Sequence, residues 1–340
     1  MMKQIKKTFY LLAIACIIIN VIPLFDANAL GTQEISFTLP NSDREIITEI
    51  YYPIDEKINS KTIEHGIWHR KFYVKNAPLS NKSLTYPLVI FSHGWQGDRF
   101  GNSWIAESLV KEGYIVAMIE HTHNTSYEHS DLFLYTSMWQ RPLDVSEFLT
   151  YLLNDKTWGK VINQEKIVAG GFSLGGLTSL WLSGIKADKD LFKNAMDHKY
   201  SRWNDWPEYA KEKANKVDWS YAQNLYYDKR IKAIFSIAPD LGEGFDKNGL
   251  KQSKIPSLII VGTKDFITPA KVNAEFYAKN MNNSKVIIIN DAEHFDFMNN
   301  CSKLGKKITP HLCNSNLNRN KLQKQVSKQI VDFLSENLGK

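Results

Sequence analysis

The sequence predicts an α/β protein built on a doubly wound, mostly parallel sheet with an antiparallel start. Three observations lead there: continuous apolar runs of strand length recur along the chain, helix-prone segments separate them, and the first two strand-like segments alternate apolar with polar residues. A strand covered on both faces reads as an unbroken apolar run, whereas a half-exposed antiparallel strand alternates.

Taken in order, "EISFTLP" and "REIITEIYYP" are the alternating pair. The buried strands are "YPLVIFSHG", "YIVAMIEH", "KIVAGGFS", "IKAIFSIAP", "PSLIIVGTKD" and "KVIIINDAEH". Helices are expected between and after them, over 104–112, 142–153, 174–184, 269–280 and 321–338. One segment breaks the rhythm. Residues 186–229, ahead of the sixth strand, are polar and helix-prone and carry Trp203, Trp206, Tyr209, Trp219 and Tyr221. This helical insertion should rise from the carboxyl edge of the sheet, where ligands bind in open α/β folds. It is either a surface excursion held down by its aromatics or a cap that shapes a substrate pocket.

The first residues speak to location. Lys3, Lys6 and Lys7 precede an apolar run over 9–19, and Ala27-Asn28-Ala29 supplies small residues for cleavage. This is the three-part layout of a signal peptide cut after Ala29, leaving 30–340 as one α/β domain in a secreted or periplasmic setting. Asn20 and Pro23 interrupt the run, which is short for a membrane span. The run also continues past Cys16, against a lipoprotein reading of "AIAC". Loss of three lysines and Asp26 lowers the formal charge from +6 to +4. At so mild a charge, without a basic block interleaved with aromatics, nucleic acid is not an expected partner. Weak peripheral contact with an anionic membrane surface is compatible with it. Two cysteines remain, Cys301 and Cys313, and an even pair in an exported chain predicts a disulfide.

The chemistry centres on "KIVAGGFSLGG", residues 166–176. The spacing Gly171-x-Ser173-x-Gly175 is the nucleophile-elbow pattern, a serine on a sharp strand-to-helix turn. A serine hydroxyl is a weak nucleophile at neutral pH, so it needs a base within hydrogen-bond reach and a carboxylate to orient that base. In this arrangement the chain order is serine, acid, histidine. Asp265 follows the strand "PSLIIVG" and His294 follows "KVIIIN", both at the edge that carries Ser173. Asp240, in "SIAPDLG" one strand earlier, is the rival acid. The backbone N–H groups of Trp95, in "FSHGWQG", and of Leu174, next to the nucleophile, are expected to receive a developing oxyanion. "EHTHNTSYEH" gathers Glu120, His121, His123, Glu128 and His129, but its spacing matches no closed zinc set. It reads as pocket lining or solvated loop, and neither a metal nor an organic cofactor is expected.

The motifs "VIFSHGWQGDR", "RPLDVSEFL", "GGFSLGG", "VGTKDFITP" and "AEHFDFMNNCS" together resemble the dienelactone-hydrolase-like group of α/β-hydrolases, which is similar to platelet-activating-factor acetylhydrolases. The resemblance runs from Tyr52 to the end and is weakest over 186–229. It implies an α/β-hydrolase fold and a serine esterase, with Ser173 as nucleophile, His294 as base and Trp95 as an oxyanion donor. Strict dienelactone hydrolases carry cysteine where this chain has Ser173. Acetylhydrolases of the plasma type take their acid from the region of Asp240. The expected function is an exported serine esterase working through an acyl-enzyme on small-molecule or lipid esters, short-chain or phospholipid-type. A lipase or polyester hydrolase of the same fold is the near alternative. A non-catalytic binding protein on a hydrolase scaffold is the alternative from another class.

Overall fold

The computed structural model of the chain describes residues 30–40, 42, 44–55, 62–71, 73–81, 84–128, 138–201 and 216–339. The expected signal peptide with Cys16, and also His129, Trp203, Trp206 and Tyr209, lie outside the described residues. No helix among the described residues is long and apolar enough to cross a membrane.

The alternating segments form β1 (Leu30–Thr38) and β2 (Glu45–Pro53), paired antiparallel. Next come a separate hairpin, β3 (Thr62–His65) with β4 (Trp68–Lys71), and a short β5 (Val74–Lys75). The remaining strands are β6 (Tyr86–Ser92), β7 (Ile115–Ile119), β8 (Ile162–Phe172), β9 (Ile231–Ile237), β10 (Ser257–Gly262) and β11 (Ser284–Ile289). The main sheet runs β11-β10-β9-β8-β6-β7-β2-β1-β5, and every pair from β11 to β7 is parallel. The mostly parallel sheet with an antiparallel start is therefore observed.

The apolar runs are continuous because alternate residues feed two different cores. Leu88, Ile90, Ile167, Ala169, Ile259 and Val261 face one; Val89, Phe91, Val168, Leu258 and Ile260 face the other. Each such Leu or Ile, fully removed from water, contributes roughly 1.5–3 kcal/mol. The second core is covered by α1 (Ser103–Lys111). The first is covered by α2 (Gln140–Asn154), α3 (Leu174–Leu182), α4 (Lys189–Ser201) and α5 (Ala274–Asn280). The short α6 (Lys303–Ile308) leads to α7 (Arg319–Leu338), which closes the second core with Leu322, Val326, Ile330, Phe333 and Leu334. Apolar residues at four-residue spacing put one stripe of α7 inward.

Two differences from expectation have local causes. The helix expected over 269–280 begins only at Ala274: Asn273 has non-helical backbone (φ −119°, ψ −95°), and its side chain accepts the Gly242 N–H at 2.9 Å. The hairpin β3–β4 and α6 carry no apolar run to announce them. They are held by each other: Ser302 Oγ donates to Gly66 O at 2.8 Å, the Ser302 N–H to Ile67 O at 2.9 Å, and the His69 N–H to Asn300 O at 2.7 Å. The expected disulfide between Cys301 and Cys313 is present and closes this same segment.

The described part of 186–229 packs down onto the body. Phe192, Ala195, Met196, Trp219, Ala222 and Tyr226 are buried in the first core, where Trp181 meets Phe192 at a tilt and Tyr226 edge to face.

Candidate active site

Ser173 ends β8 and opens α3 with φ 55° and ψ −119°. For a residue with a Cβ such backbone costs of order 1–3 kcal/mol and persists only where its surroundings over-determine it. Here the Ser173 N–H is held by Ile237 O at 2.8 Å. The flanking glycines answer a packing demand. A Cβ on Gly171 would stand 2.0 Å from Gly175 O, and one on Gly175 would stand 2.0 Å from Ser92 O on β6. Any side chain there would push the turn off the neighbouring strand, so the Gly-x-Ser-x-Gly spacing records how tightly the elbow is seated.

The structure brings Ser173, His294 and Asp265 together. Ser173 Oγ lies 3.0 Å from His294 Nε2, and His294 Nδ1 lies 2.7 Å from Asp265 Oδ2. With the Nδ1–H donating to the carboxylate, Nε2 presents its lone pair to the serine hydroxyl. His294 is placed by a short 3₁₀ turn, His294–Phe297, whose capping box pairs Glu293 with Asp296. Asp265 is fixed by the turn after β10: its Oδ1 accepts the N–H groups of Ile267 at 3.0 Å and Thr268 at 2.7 Å. Thr268, which sequence reasoning missed, sets its Oγ1 2.9 Å from Asp265 Oδ2 and 3.2 Å from His294 Nδ1. Its only signal was a hydroxyl three residues after an aspartate in "DFIT", the spacing of a side-chain-capped turn. The rival Asp240 lies on the cavity wall, but its Oδ1 accepts the Leu241 N–H at 2.8 Å, and the carboxylate facing His294 Nδ1 is that of Asp265.

Trp95 and Leu174 lie beside the same serine. Leu174 is the first residue of α3, where backbone N–H groups have no acceptor within the helix. The loop carrying Trp95 presses on the elbow: a Cβ on Gly94 would stand 3.2 Å from the Phe172 ring and 3.3 Å from Ser173 Cβ. Ser173, Leu174, Trp95 and His294 all line one cavity of about 440 Å³. Its remaining walls are largely apolar, with Trp68, Met138, Phe172, Phe295, Met298 and Leu312. Among the described residues, none of 186–229 lines it. The side walls come instead from the β3–β4 turn (Ile67, Trp68) and the disulfide-closed loop (His311, Leu312).

The residues of "EHTHNTSYEH" that fall among those described are claimed by separate partners. Glu120 pairs with Arg99 at 2.8 Å, His123 with Glu128 at 3.1 Å on the surface, and His121 with Asp144 at 2.8 Å in the interior. Glu120, His121, His123 and Glu128 do not line the cavity, although Ser126 of the same stretch does, and His123 and Glu128 lie exposed as solvated loop. Among the described residues no set of His, Cys, Asp and Glu converges in a way that could hold a metal. His121 belongs to a buried network missed in the sequence, with His93, Arg141, Asp144, Arg44 and Ser92. Burial, with the Arg141 cation beside it, holds the His93 imidazole well below its usual range, and the same two causes act on His121. Burial also lowers Arg141 to about 9 and raises Asp144 to about 7, opposed in each case by the neighbouring opposite charge.

Comparison with known proteins agrees with this architecture. The family model of platelet-activating factor acetylhydrolase, isoform II, matches residues 45–136. Among solved structures, a ferulic acid esterase from Streptomyces cinnamoneus superimposes with a TM-score of 0.62 at 14% identity, covering 91% of this chain and 90% of that one. No curated protein sequence matches the chain. The chain has the α/β-hydrolase fold, and over residues 45–136 it is similar to platelet-activating factor acetylhydrolase, isoform II.

Proposed function

We propose that this chain is an exported serine hydrolase that cleaves carboxylic esters through an acyl-enzyme, with 30–340 as its working domain. The observation that carries the proposal is the hydrogen-bonded line from Asp265 through His294 to Ser173, ending in a largely apolar cavity of about 440 Å³. The acetylhydrolase-like match and the esterase fold neighbour support ester hydrolysis as the reaction class.

In this reading Ser173 Oγ adds to the ester carbonyl carbon while its proton passes to His294 Nε2, and the carbonyl electron pair moves onto oxygen. The backbone N–H groups of Trp95 and Leu174 receive that oxyanion. Collapse of the adduct expels the alcohol, which takes the proton back from His294. Water then repeats the sequence on the acyl-enzyme and releases the acid. Asp265 keeps the imidazole in the tautomer that can accept at Nε2 and stabilises the imidazolium that forms. Cavities of this size hold small molecules or one short acyl chain, which favours short-chain or phospholipid-type acyl esters. The aromatic wall of Trp68, Phe172 and Phe295 favours a second reading, esters of aromatic acids such as the ferulic acid on which the fold neighbour acts. Export is supported by the amino-terminal layout and by the Cys301–Cys313 bridge, which persists in oxidising compartments.

The test is fluorophosphonate labelling of purified protein, followed by turnover of p-nitrophenyl esters of rising chain length and of methyl ferulate. Labelling at Ser173 with turnover of any member supports the reading, and the preferred member decides between the two substrate classes. Protein that takes no label and cleaves nothing is a binding protein on a hydrolase scaffold.

A further inference from the structure

The peptide unit joining Gly94 to Trp95 is gripped from behind by buried side chains that take no part in the proton relay. Gly94 O lies 2.6 Å from His93 Nδ1, 3.4 Å from Arg141 Nη2 and 3.2 Å from the Gly97 N–H. Arg141 Nη1 also donates to His93 O at 2.8 Å. The His93 tautomer follows from its other nitrogen. Nε2 accepts the His121 N–H at 3.2 Å, so the ring proton sits on Nδ1 and points at Gly94 O. The Arg141 side chain is completely buried and His93 is 1% exposed.

A peptide unit is planar and, in this chain, trans throughout the described residues, so its N–H points opposite to its C=O. Fixing Gly94 O therefore fixes where the Trp95 N–H aims. Donors on that oxygen also polarise the peptide, which makes its N–H a better donor. We propose that Arg141 and His93 are positioning residues for the oxyanion hole, holding Gly94 O so that the Trp95 N–H faces the carbonyl oxygen of an ester seated over Ser173. The inference rests on the esterase reading and adds to it the device that preorganises one of its two donors. The anchorage continues outward: Asp144, one turn along α2 from Arg141, is held by Arg44 at 2.6 Å and by His121 Nδ1 at 2.8 Å. His121 Nε2 lies 3.2 Å from Ser92 Oγ, at the end of the strand that leads into the loop. A buried guanidinium is costly to keep. Loop packing alone would not require one.

The test compares His93→Leu, which removes the donor to Gly94 O, with His93→Asn, whose side-chain amide can stand where Nδ1 does. Each is assayed for p-nitrophenyl acetate turnover and for affinity toward an alkyl trifluoromethyl ketone, which adds Ser173 Oγ and places an oxyanion in the hole. In His93→Leu, kcat should fall by about 10- to 100-fold with KM within twofold, and the ketone should weaken by the same factor, because only interactions made in the transition state change kcat alone. His93→Asn should recover most of that loss. Should His93→Leu fail to fold, Arg141→Lys, which replaces the two-pronged grip with one donor, carries the same pair of measurements and the same expectation.

The inference is overturned if folded His93→Leu keeps kcat and ketone affinity within threefold of wild type. It is overturned equally if kcat falls without matching loss of the ketone, or if His93→Asn falls as far as His93→Leu. Wild-type protein that takes no fluorophosphonate and cleaves no ester overturns the esterase reading and this one with it. An active wild type with an indifferent His93→Leu overturns this one alone.

Discussion

Two serine–histidine–aspartate lines cross this molecule, and they are nearly the same on paper. Ser173, His294 and Asp265 are joined at 3.0 and 2.7 Å; Ser92, His121 and Asp144 are joined at 3.2 and 2.8 Å. What differs is the backbone and the surroundings. Ser173 stands on a turn with φ 55° and faces a cavity, whereas Ser92 is the last residue of β6 and does not line that cavity. Asp265 is stabilised by two backbone N–H groups of its own turn, while Asp144 relies on the Arg44 side chain against burial that raises it to about 7. Connectivity alone therefore does not make a catalytic site. A nucleophile also needs an open face and a carboxylate held by its own turn against the base.

The comparison is tested most sharply at the serines. Ser173→Ala should lower ester turnover by about 10⁵- to 10⁶-fold with the fold intact, since the residual rate comes from the oxyanion hole and binding alone. Ser92→Ala should cost about tenfold or less in turnover and about 1 kcal/mol in stability, through one lost buried hydrogen bond. Steady-state kinetics with melting curves checks both, and a Ser92→Ala loss of the Ser173→Ala size would erase the distinction.

The carboxylates come next. Asp265→Asn should cost about 10⁴-fold by turning the imidazole to the wrong tautomer. Asp144→Asn should instead destabilise the fold by about 3 kcal/mol, because Arg44 and His121 lose a buried partner. Asp240→Asn, at the position of the rival acid, should stay within about tenfold on turnover; only a loss near 10⁴ would move the acid to the earlier strand.

The disulfide distinguishes the two regions by what holds them. Cys301 and Cys313 are 12 residues apart and close a loop that follows His294, for which chain entropy gives about 3 kcal/mol. The segment between His294 and Cys301 is held separately, with Asn102 Nδ2, just ahead of α1, donating to Phe297 O at 2.9 Å and Arg319 Nη1 of α7 to Asn299 O at 2.8 Å. Cys301→Ser should therefore lower the thermal midpoint while hydrolysis of an acetyl ester changes little. Larger esters should suffer more, since Leu312 and His311 form a cavity wall. Peptide mapping without reduction checks the bridge, and kinetics across the chain-length series checks the wall.

The smallest effect is the second network's contribution to the pH dependence of stability. His93 and His121 are held below the usual histidine value of 6.5, so unfolded chain takes up protons that the folded chain refuses, and stability falls as pH drops below about 6.5. Asp144, raised to about 7, works the other way and offsets one of them. The remaining proton corresponds to about 1.4 kcal/mol per pH unit. His93→Asn removes that proton, so its denaturant midpoint should fall less between pH 7 and pH 5 than that of the wild type.

The sheet, its buried strands and most helix positions could be read along the chain, because burial on both faces leaves a continuous apolar run wherever it occurs. The elbow, Asp265 and His294 were readable for a related reason: each sits just past a strand end, so order along the chain maps onto position along one edge. The carboxylate for His294 was left open between Asp265 and Asp240, since both follow strands at that edge, and only the turn that points Asp265 inward and Asp240 toward Leu241 separates them. The His93–Arg141–His121–Asp144 network gave no such signal. Its members come from three segments, and a buried arginine looks like a surface one until a carbonyl and a carboxylate are brought to it. The described cavity walls gave no such signal either. Aromatic composition directed attention to 186–229, but the described walls are a polar hairpin and a lysine-rich loop, joined by hydrogen bonds between residues more than two hundred positions apart. Local pattern is set by which faces of an element are buried. Which distant polar groups satisfy one another is decided only when the folded chain brings them within 3 Å.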